Sequence, residues 1–593
     1  MAPSAVVEDN LPITKPKTPR PRVLVPEKVS ADGLSLLESH FDVDIRLGLS
    51  PEELIAAIPS YHGLIVRSET KVTASVLSAA RKLRVVARAG VGVDNIDVKA
   101  ATAQGIIVVN SPSGNIVAAA EQTIALLLAT ARNIGRADQT LKAGRWERNK
   151  LVGVEVGRKS LGIVGLGKVG LNVARMAVGL GMKVVALDPY ASPDIAREAG
   201  VQLVEKLSDL LPIVDFLTVH TPLLASTLNL IGETELQTMK KTARVLNVAR
   251  GGVYNEDALI KALDEGWIAG AGIDVFTSEP PQPGSSAQRL AAHPKVVATP
   301  HLGASTVEAQ ENVSLDVCSQ VLETLRGGLP TSAVNAPLIL PEEYRKLQPF
   351  VRLVERMGSL YTQHFVGAKG GMIGGRRFEL AYQGELAAVS NTRPLFAALV
   401  KGLTSSISDS GGRDVNIVNA TLIAKEKGIV IKETHVREPE NLAYASQVTL
   451  RSYSGDSSGS GGEQVIEGYV SGKNIYISKL DRFAANFIPE GTMVVLHNYD
   501  EPGKIGNVGM VLGRHGINIT FMQVASLDLE TKLKSDEAQP QADAEQDDDR
   551  KDKSQNAANE ALMILGVDGQ VTNEVLNLLG QSEGILDVSL VSL

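Results

Sequence analysis

Arg250, Glu279 and His301 each stand just past a short apolar run, and their side chains are chemically complementary. An imidazole can accept a hydroxyl proton as a general base. A nearby carboxylate fixes the ring's tautomer and favours the imidazolium. A guanidinium binds a substrate carboxylate in a bidentate manner and polarises a nascent carbonyl. Together they are the set that oxidation of a 2-hydroxy acid requires, provided a hydride acceptor is at hand. That acceptor is signalled by Gly165-Leu-Gly167-Lys-Val-Gly170, which follows the apolar run Leu161–Val164 and opens a helical segment. Gly165 allows a tight turn, Gly167 lets the backbone approach a pyrophosphate, and Gly170 permits close helix–strand packing. The helix amino terminus then presents free N–H groups to the phosphates. Asp188 lies 18 residues past Gly170, where a carboxylate accepts hydrogen bonds from ribose hydroxyls. No Arg follows it to hold a 2′-phosphate, so NAD is expected rather than NADP.

These residues need strands that end on a common edge. From Val23 to about Pro330, ten short runs are apolar throughout rather than alternating: Val23–Pro26, Gly63–Val66, Arg84–Ala87, Ile106–Val109, Leu161–Val164, Lys183–Leu187, Asp215–Val219, Arg244–Val248, Gly270–Val275 and Val296–Ala298. Such runs predict strands covered on both faces, hence parallel sheets with crossover helices. The expected class is α/β, with two doubly wound parallel-sheet domains. One is a discontinuous substrate-binding domain, 23–118 plus 305–330, and the other is a Rossmann NAD domain, 119–304. An additional α+β regulatory domain is expected over 331–490. A ferredoxin-like βαββαβ module is expected over 491–593. Residues 1–22 predict a disordered tail. The segment 535–557 has eight acids against three basic residues and no large apolar side chain, so it predicts a disordered insertion.

Composition narrows the class further. The 593 residues carry 59 Lys and Arg against 67 Asp and Glu, a net charge of −8, so no overall basic field recruits nucleic acid. No run approaches the length of a membrane span. The single Cys318 excludes an intramolecular disulfide framework and a cysteine-based zinc site, and no metal is expected. A reducing, cytoplasmic location is expected, since residues 1–22 lack the apolar core of a secretory signal; organellar targeting is the alternative, against which Glu8 and Asp9 argue.

Four segments carry a resemblance: Gly165–Gly170, Leu246-Asn-Val-Ala-Arg-Gly-Gly252, Gly272-Ile-Asp-Val-Phe276 with Glu279-Pro280, and Thr299-Pro-His-Leu-Gly-Ala304. In these the chain resembles the D-2-hydroxyacid dehydrogenase family. The resemblance implies Arg250 for substrate carboxylate and carbonyl, Glu279 as the partner of the base, and His301 as acid and base. It also implies that Lys168, Val169, Asp188, Thr221, Val248, Ala249, Arg250, Asp274, His301, Leu302, Gly303 and Ala304 surround the NAD, with Gly165, Gly167 and Gly170 forming the phosphate turn. Within that family the amino-terminal half is most similar to the long branch that oxidises 3-phosphoglycerate, through Ile65–Thr70, Arg88–Asn95 and Asn110–Asn115. A substrate with two anionic groups needs a second anchor. Arg67 with Ser68 is the best candidate, and Ser111, Gly114 and Asn115 are candidates to offer N–H groups to the carboxylate. The resemblance further implies that Lys150 reaches a neighbouring subunit's site from a loop with Trp146 at the interface, in a homo-oligomer, dimer or tetramer. The carboxyl-terminal module resembles the ACT fold, implying L-serine as effector at Asn498, Asp500 and Asn518. A different 2-hydroxyacid dehydrogenase and a non-catalytic NAD(H)-sensing scaffold are the alternatives that this reading leaves open.

Overall fold

In a computed structural model, residues 20–367, 373, 376–405, 415–437, 444–453, 463–527 and 560–593 are described. Most of the expected tail and the whole acidic insertion 535–557 fall outside them. The first sheet contains β1 (Arg22–Val25), β2 (Asp42–Ile45), β3 (Gly63–Val66), β4 (Val85–Arg88) and β5 (Ile107–Asn110) in the order β2-β1-β3-β4-β5. All its neighbouring pairs are parallel. The second contains β6 (Ser160–Val164), β7 (Lys183–Leu187), β8 (Val201–Leu203), β9 (Phe216–Val219), β10 (Arg244–Asn247), β11 (Gly270–Ile273) and β12 (Val296–Ala298). Its order is β12-β11-β10-β9-β6-β7-β8, again all parallel. The strand order reverses between β6 and β9, which is where an open α/β sheet offers a crevice for a ligand.

Each of these two sheets is buried on both faces, by separate clusters of apolar side chains. That is why their central strands read as unbroken apolar runs. Two strands, β2 and β8, escape that reading. Both lie at sheet edges, and β2 (Asp-Val-Asp-Ile) is partly or fully exposed along its length. At the end of the expected tail Arg22 opens β1, its guanidinium bonded to Asp44, Ser60 and Tyr61.

The helix Ile116–Ala131 leaves the first sheet and packs on the second, against β10, β11 and β12. The helix Val307–Leu325 returns, capped by Thr306 Oγ1, and lies on β3, β4 and β5. The two sheets are thus joined twice, with their carboxyl edges facing one cleft. Beyond this pair, β13 (Arg377–Gly384), β14 (Val430–Val436), β15 (Ser446–Tyr453), β16 (Gln464–Ser471), β17 (Asn474–Leu480) and β18 (Phe483–Phe487) form a mixed sheet ordered β14-β13-β15-β16-β17-β18. The carboxyl-terminal β19 (Thr492–Tyr499), β20 (Ile519–Ser526), β21 (Glu560–Val567) and β22 (Ile585–Ser592) form an antiparallel sheet ordered β20-β21-β19-β22. With two helices this is the ferredoxin-like arrangement. One buried cluster runs from the first sheet through the helix Pro341–Tyr361 to the mixed sheet and one face of the last sheet. Among the described residues no helix is long and apolar enough to cross a membrane.

The helices Pro341–Tyr361 and Arg393–Thr404 cross at Gly358 and Gly402. A Cβ at Gly402 would fall on the Glu355 carbonyl and against Gly358, and one at Gly358 would press on Leu399 O and Leu403 N. In a free helix Gly→Ala is stabilising by about 1 kcal/mol. Here the overpacking cost of about 1–3 kcal/mol reverses the sign. Gly402→Ala is therefore expected to lower the thermal midpoint in calorimetry while leaving NADH affinity unchanged. A stabilised variant contradicts the close crossing.

Candidate active site

The facing carboxyl edges enclose a cleft of about 670 Å³. From the second sheet come His220–Leu223, Val248–Arg250, Glu279, Pro300, His301 and Gly303–Ser305; from the first come Arg67, Ser68, Arg88–Asp94 and Asn110. His301 Nδ1 lies 2.7 Å from Glu279 Oε2, and Glu279 Oε1 accepts from Phe276 N at 3.0 Å. Burial raises the Glu279 carboxyl. The His301 bond, the Phe276 N–H and the charges of His301 and Arg250 outweigh it, so the net shift is below the ordinary carboxylate value. The Nδ1–H···Glu279 bond assigns the tautomer that leaves Nε2 to accept a proton.

His301 has a left-handed backbone, φ +55°. Such a conformation costs about 1–3 kcal/mol unless its surroundings impose it. Asp274, at the end of β11, does so. Its main-chain oxygen accepts from His301 N at 2.9 Å, and its carboxylate accepts from Leu302 N (2.8 Å), Gly303 N (2.9 Å) and Thr299 Oγ1 (2.5 Å). Asp274 has no exposed surface. Asp274, expected beside the cofactor, thus uses its carboxylate to hold the backbone of the His301–Gly303 loop at the cleft. Asn247 does the same for the Val248–Arg250 turn, accepting from Ala249 N and donating to Arg250 O.

The Arg250 guanidinium donates from Nε to Asp94 Oδ2 at 3.2 Å and from Nη1 to Ala249 O at 2.6 Å. Asp94 belongs to the opposite wall. It and Arg88, which ends β4, entered the sequence reading only within the resembling stretch Arg88–Asn95, not as candidate site residues. Burial first, and then the charge of Arg250, lowers the Arg88 guanidinium to about 10, still protonated near pH 7. Its Nε is buried without a partner. Arg67 completes a trio of cations along the cleft.

The residues present fit a dinucleotide. Gly165 has φ +95°, and a Cβ there would press on the His220 carbonyl; one at Gly170 would press on the Gly165 carbonyl. Gly167, by contrast, caps the helix Lys168–Gly179, and nothing lies within 4 Å of where its Cβ would stand, so that approach is open. Thr221 Oγ1 is buried in the cleft wall without a partner. Asp188 accepts from Leu166 N and Tyr190 N, which ties the phosphate turn to the end of β7. Lys168 reaches across to Ser113 Oγ at 3.0 Å, while Val169, Gly303 and Ala304 line the cleft and Leu302 is 40% exposed beside it. Burial also pushes His220 down to about 4, so it is neutral near pH 7.

Other candidates are placed differently from expectation. The Ser111 N–H is already donated to Gly90 O, and Ser111 is fully buried, so it is not a free donor for a substrate carboxylate. Gly114 is packed on Val313 and Ser111, whereas Asn115 does line the cleft, with Oδ1 buried and unpartnered. Lys150 sits on an exposed turn, bonded to Glu147 at 3.4 Å and outside this chain's cleft. Trp146 beside it is 81% exposed. In the last module Asn498 is only 2% exposed, and Asn518 is engaged with Asp568 through its N–H and its side-chain amide. Asp500 is exposed.

Comparison with known proteins agrees with this geometry. Residues 124–303 match the NAD binding domain of D-isomer specific 2-hydroxyacid dehydrogenases, and 346–474 match the D-3-phosphoglycerate dehydrogenase intervening domain. The chain is 43% identical over 517 residues to D-3-phosphoglycerate dehydrogenase 2, chloroplastic, of Arabidopsis thaliana, covering 86% of this chain and 81% of that one. It is 38% identical to the D-3-phosphoglycerate dehydrogenase of Archaeoglobus fulgidus, covering 96% and 100% respectively. The chain belongs to the D-3-phosphoglycerate dehydrogenase family, NAD-dependent oxidoreductases of the D-2-hydroxyacid dehydrogenase group.

Proposed function

We propose that this chain oxidises 3-phospho-D-glycerate to 3-phosphohydroxypyruvate, the opening step of the phosphorylated route to L-serine. The observation that carries the reading is the convergence of the His301–Glu279 pair with Arg250 and Arg67 in one cleft. Arg250 holds the substrate carboxylate and draws charge toward the C2 oxygen as the carbonyl forms. Arg67, with Ser68, holds the phosphate. His301 Nε2 takes the hydroxyl proton, and Glu279, ionised, stabilises the resulting imidazolium. Bound NAD supplies the acceptor for the hydride that leaves C2. Gly165, Gly167, Lys168, Val169, Gly170, Asp188, Thr221, Val248, Ala249 and Leu302–Ala304 hold the dinucleotide.

The working enzyme in this proposal is a cytoplasmic homo-oligomer, a dimer or tetramer. Ile134, Leu141, Trp146 and Val152 are all more than half exposed in one chain, which suits a partner surface. Lys150 of one subunit then serves the site of another. L-serine is the proposed effector of the ferredoxin-like module, bound between chains near Asn498, Asp500 and Asn518, and it acts by binding one state more tightly than the other.

NADH formation with 3-phosphoglycerate is expected to exceed that with D-glycerate by roughly tenfold or more in kcat/KM. Equal values defeat the phosphate assignment. His301→Ala is expected to lower kcat by roughly 10²–10⁴-fold with NADH affinity retained. Because Glu279 is held below its ordinary value when folded, its contribution to stability is complete above the unfolded value and fades as pH falls through the folded one. Wild type should therefore lose more stability than Glu279→Gln as pH falls below the ordinary carboxylate value, read by urea unfolding. L-serine titrated during turnover is expected to reduce the rate; no change up to millimolar serine removes the effector claim.

A further inference from the structure

The loop that carries Arg67 and Ser68 is built around a side chain to which no role has been attached. Glu27 stands just past β1, whose neighbour in the sheet is β3, so its carboxylate meets the loop that leaves β3. It is only 7% exposed. Oε1 accepts from Arg67 N at 2.9 Å and from Thr70 N at 2.9 Å, while Oε2 accepts from Glu69 N at 3.1 Å. From the other side Asn95 Nδ2 donates to Arg67 O (2.9 Å) and Thr70 O (2.7 Å). Five bonds from two side chains thus fix a four-residue turn. The Arg67 guanidinium is steered by the Lys28 carbonyl, next to Glu27, at 3.4 Å from Nη1.

We propose that Glu27, seconded by Asn95, is the positioning residue that sets Arg67 and Ser68 as the receptor for the substrate's phosphate, and so determines the preference for a phosphorylated acid. The inference rests on the assignment of Arg67 to that phosphate. A buried carboxylate accepting three N–H groups is a strong anchor, since charge-assisted bonds are shorter and stronger than neutral ones. It does a second thing here. Its charge supports the protonated Arg88 against the like charges of Arg250 and Arg67. Glutamine has the same shape but cannot replace it. One of its two terminal atoms is an NH₂, so at least one loop N–H would face another donor, and a buried donor without an acceptor is costly. Glu27 touches no reacting atom, and its influence on Arg88 ranks behind burial, Arg250 and Asp94, so its loss acts chiefly through Arg67.

The experiment is a double-mutant cycle of Glu27→Gln and Arg67→Ala, read with 3-phosphoglycerate and with D-glycerate. Glu27→Gln is expected to raise KM for 3-phosphoglycerate roughly tenfold with kcat within about twofold, as for lost uniform binding. D-glycerate kinetics and NADH affinity should stay the same, and the effect should vanish in the Arg67→Ala background. A loss that is equal for both acids, or that adds fully to Arg67→Ala, overturns the positioning role. If Arg67→Ala itself leaves the preference for the phosphorylated acid intact, the phosphate assignment is what fails. Should Glu27→Gln fail to bind NADH, Asn95→Ala releases the same turn from its carbonyl side. It must then show the same selective rise in KM, and its absence overturns the proposal.

Discussion

Three guanidinium groups, those of Arg67, Arg88 and Arg250, share one cleft, and much of the surrounding structure answers their mutual repulsion. Like charges confined to one cleft repel, more strongly where water is partly excluded, and burial adds to that cost. The fold meets this with acids on both walls: Glu27 beneath the first sheet's edge, Asp94 across the mouth, and Glu279 beside His301. With them the cleft keeps a positive field, which is what a doubly anionic acid needs.

The same logic governs precision. The side chains proposed to do chemistry stand on short loops, yet each loop is tied to a rigid strand by a buried polar group. Asp274 pins the His301 loop, Asn247 pins the Arg250 turn, and Glu27 pins the Arg67 turn. Each tie satisfies backbone N–H groups that would otherwise be buried unpaired. Parallel sheets make this economical, because neighbouring strands deliver their carboxyl ends to the same edge.

Much of this is legible in the sequence. Unbroken apolar runs announce strands buried on both faces, and the glycine spacing locates the phosphate turn. What escapes depends on sheet order rather than local pattern. Glu27 and Arg67 are 40 residues apart and meet only because β1 and β3 are neighbours. Asp94 and Arg250 meet across two sheets. The strand β2 escapes because an exposed edge strand need not be apolar throughout. The donor role expected of Ser111 fails for a related reason: its N–H already belongs to Gly90, a bond no linear reading could reveal. A single chain leaves Lys150 outside the cleft and Asn498 nearly buried.

The ion pair between Arg250 and Asp94 changes what recognition means at this site. Two of the three guanidinium nitrogens already hold protein partners, one of them a carboxylate that is largely open to solvent. An incoming carboxylate does not fill a vacancy; it takes the place of a resident anion. Affinity is then a difference between two similar interactions, so a ligand with one negative group gains little over Asp94. A ligand that also engages Arg67 gains a bond whose resident rival is the neutral Lys28 carbonyl rather than a carboxylate. Discrimination among small acids thus comes from exchange, with the protein supplying its own competitor as the reference.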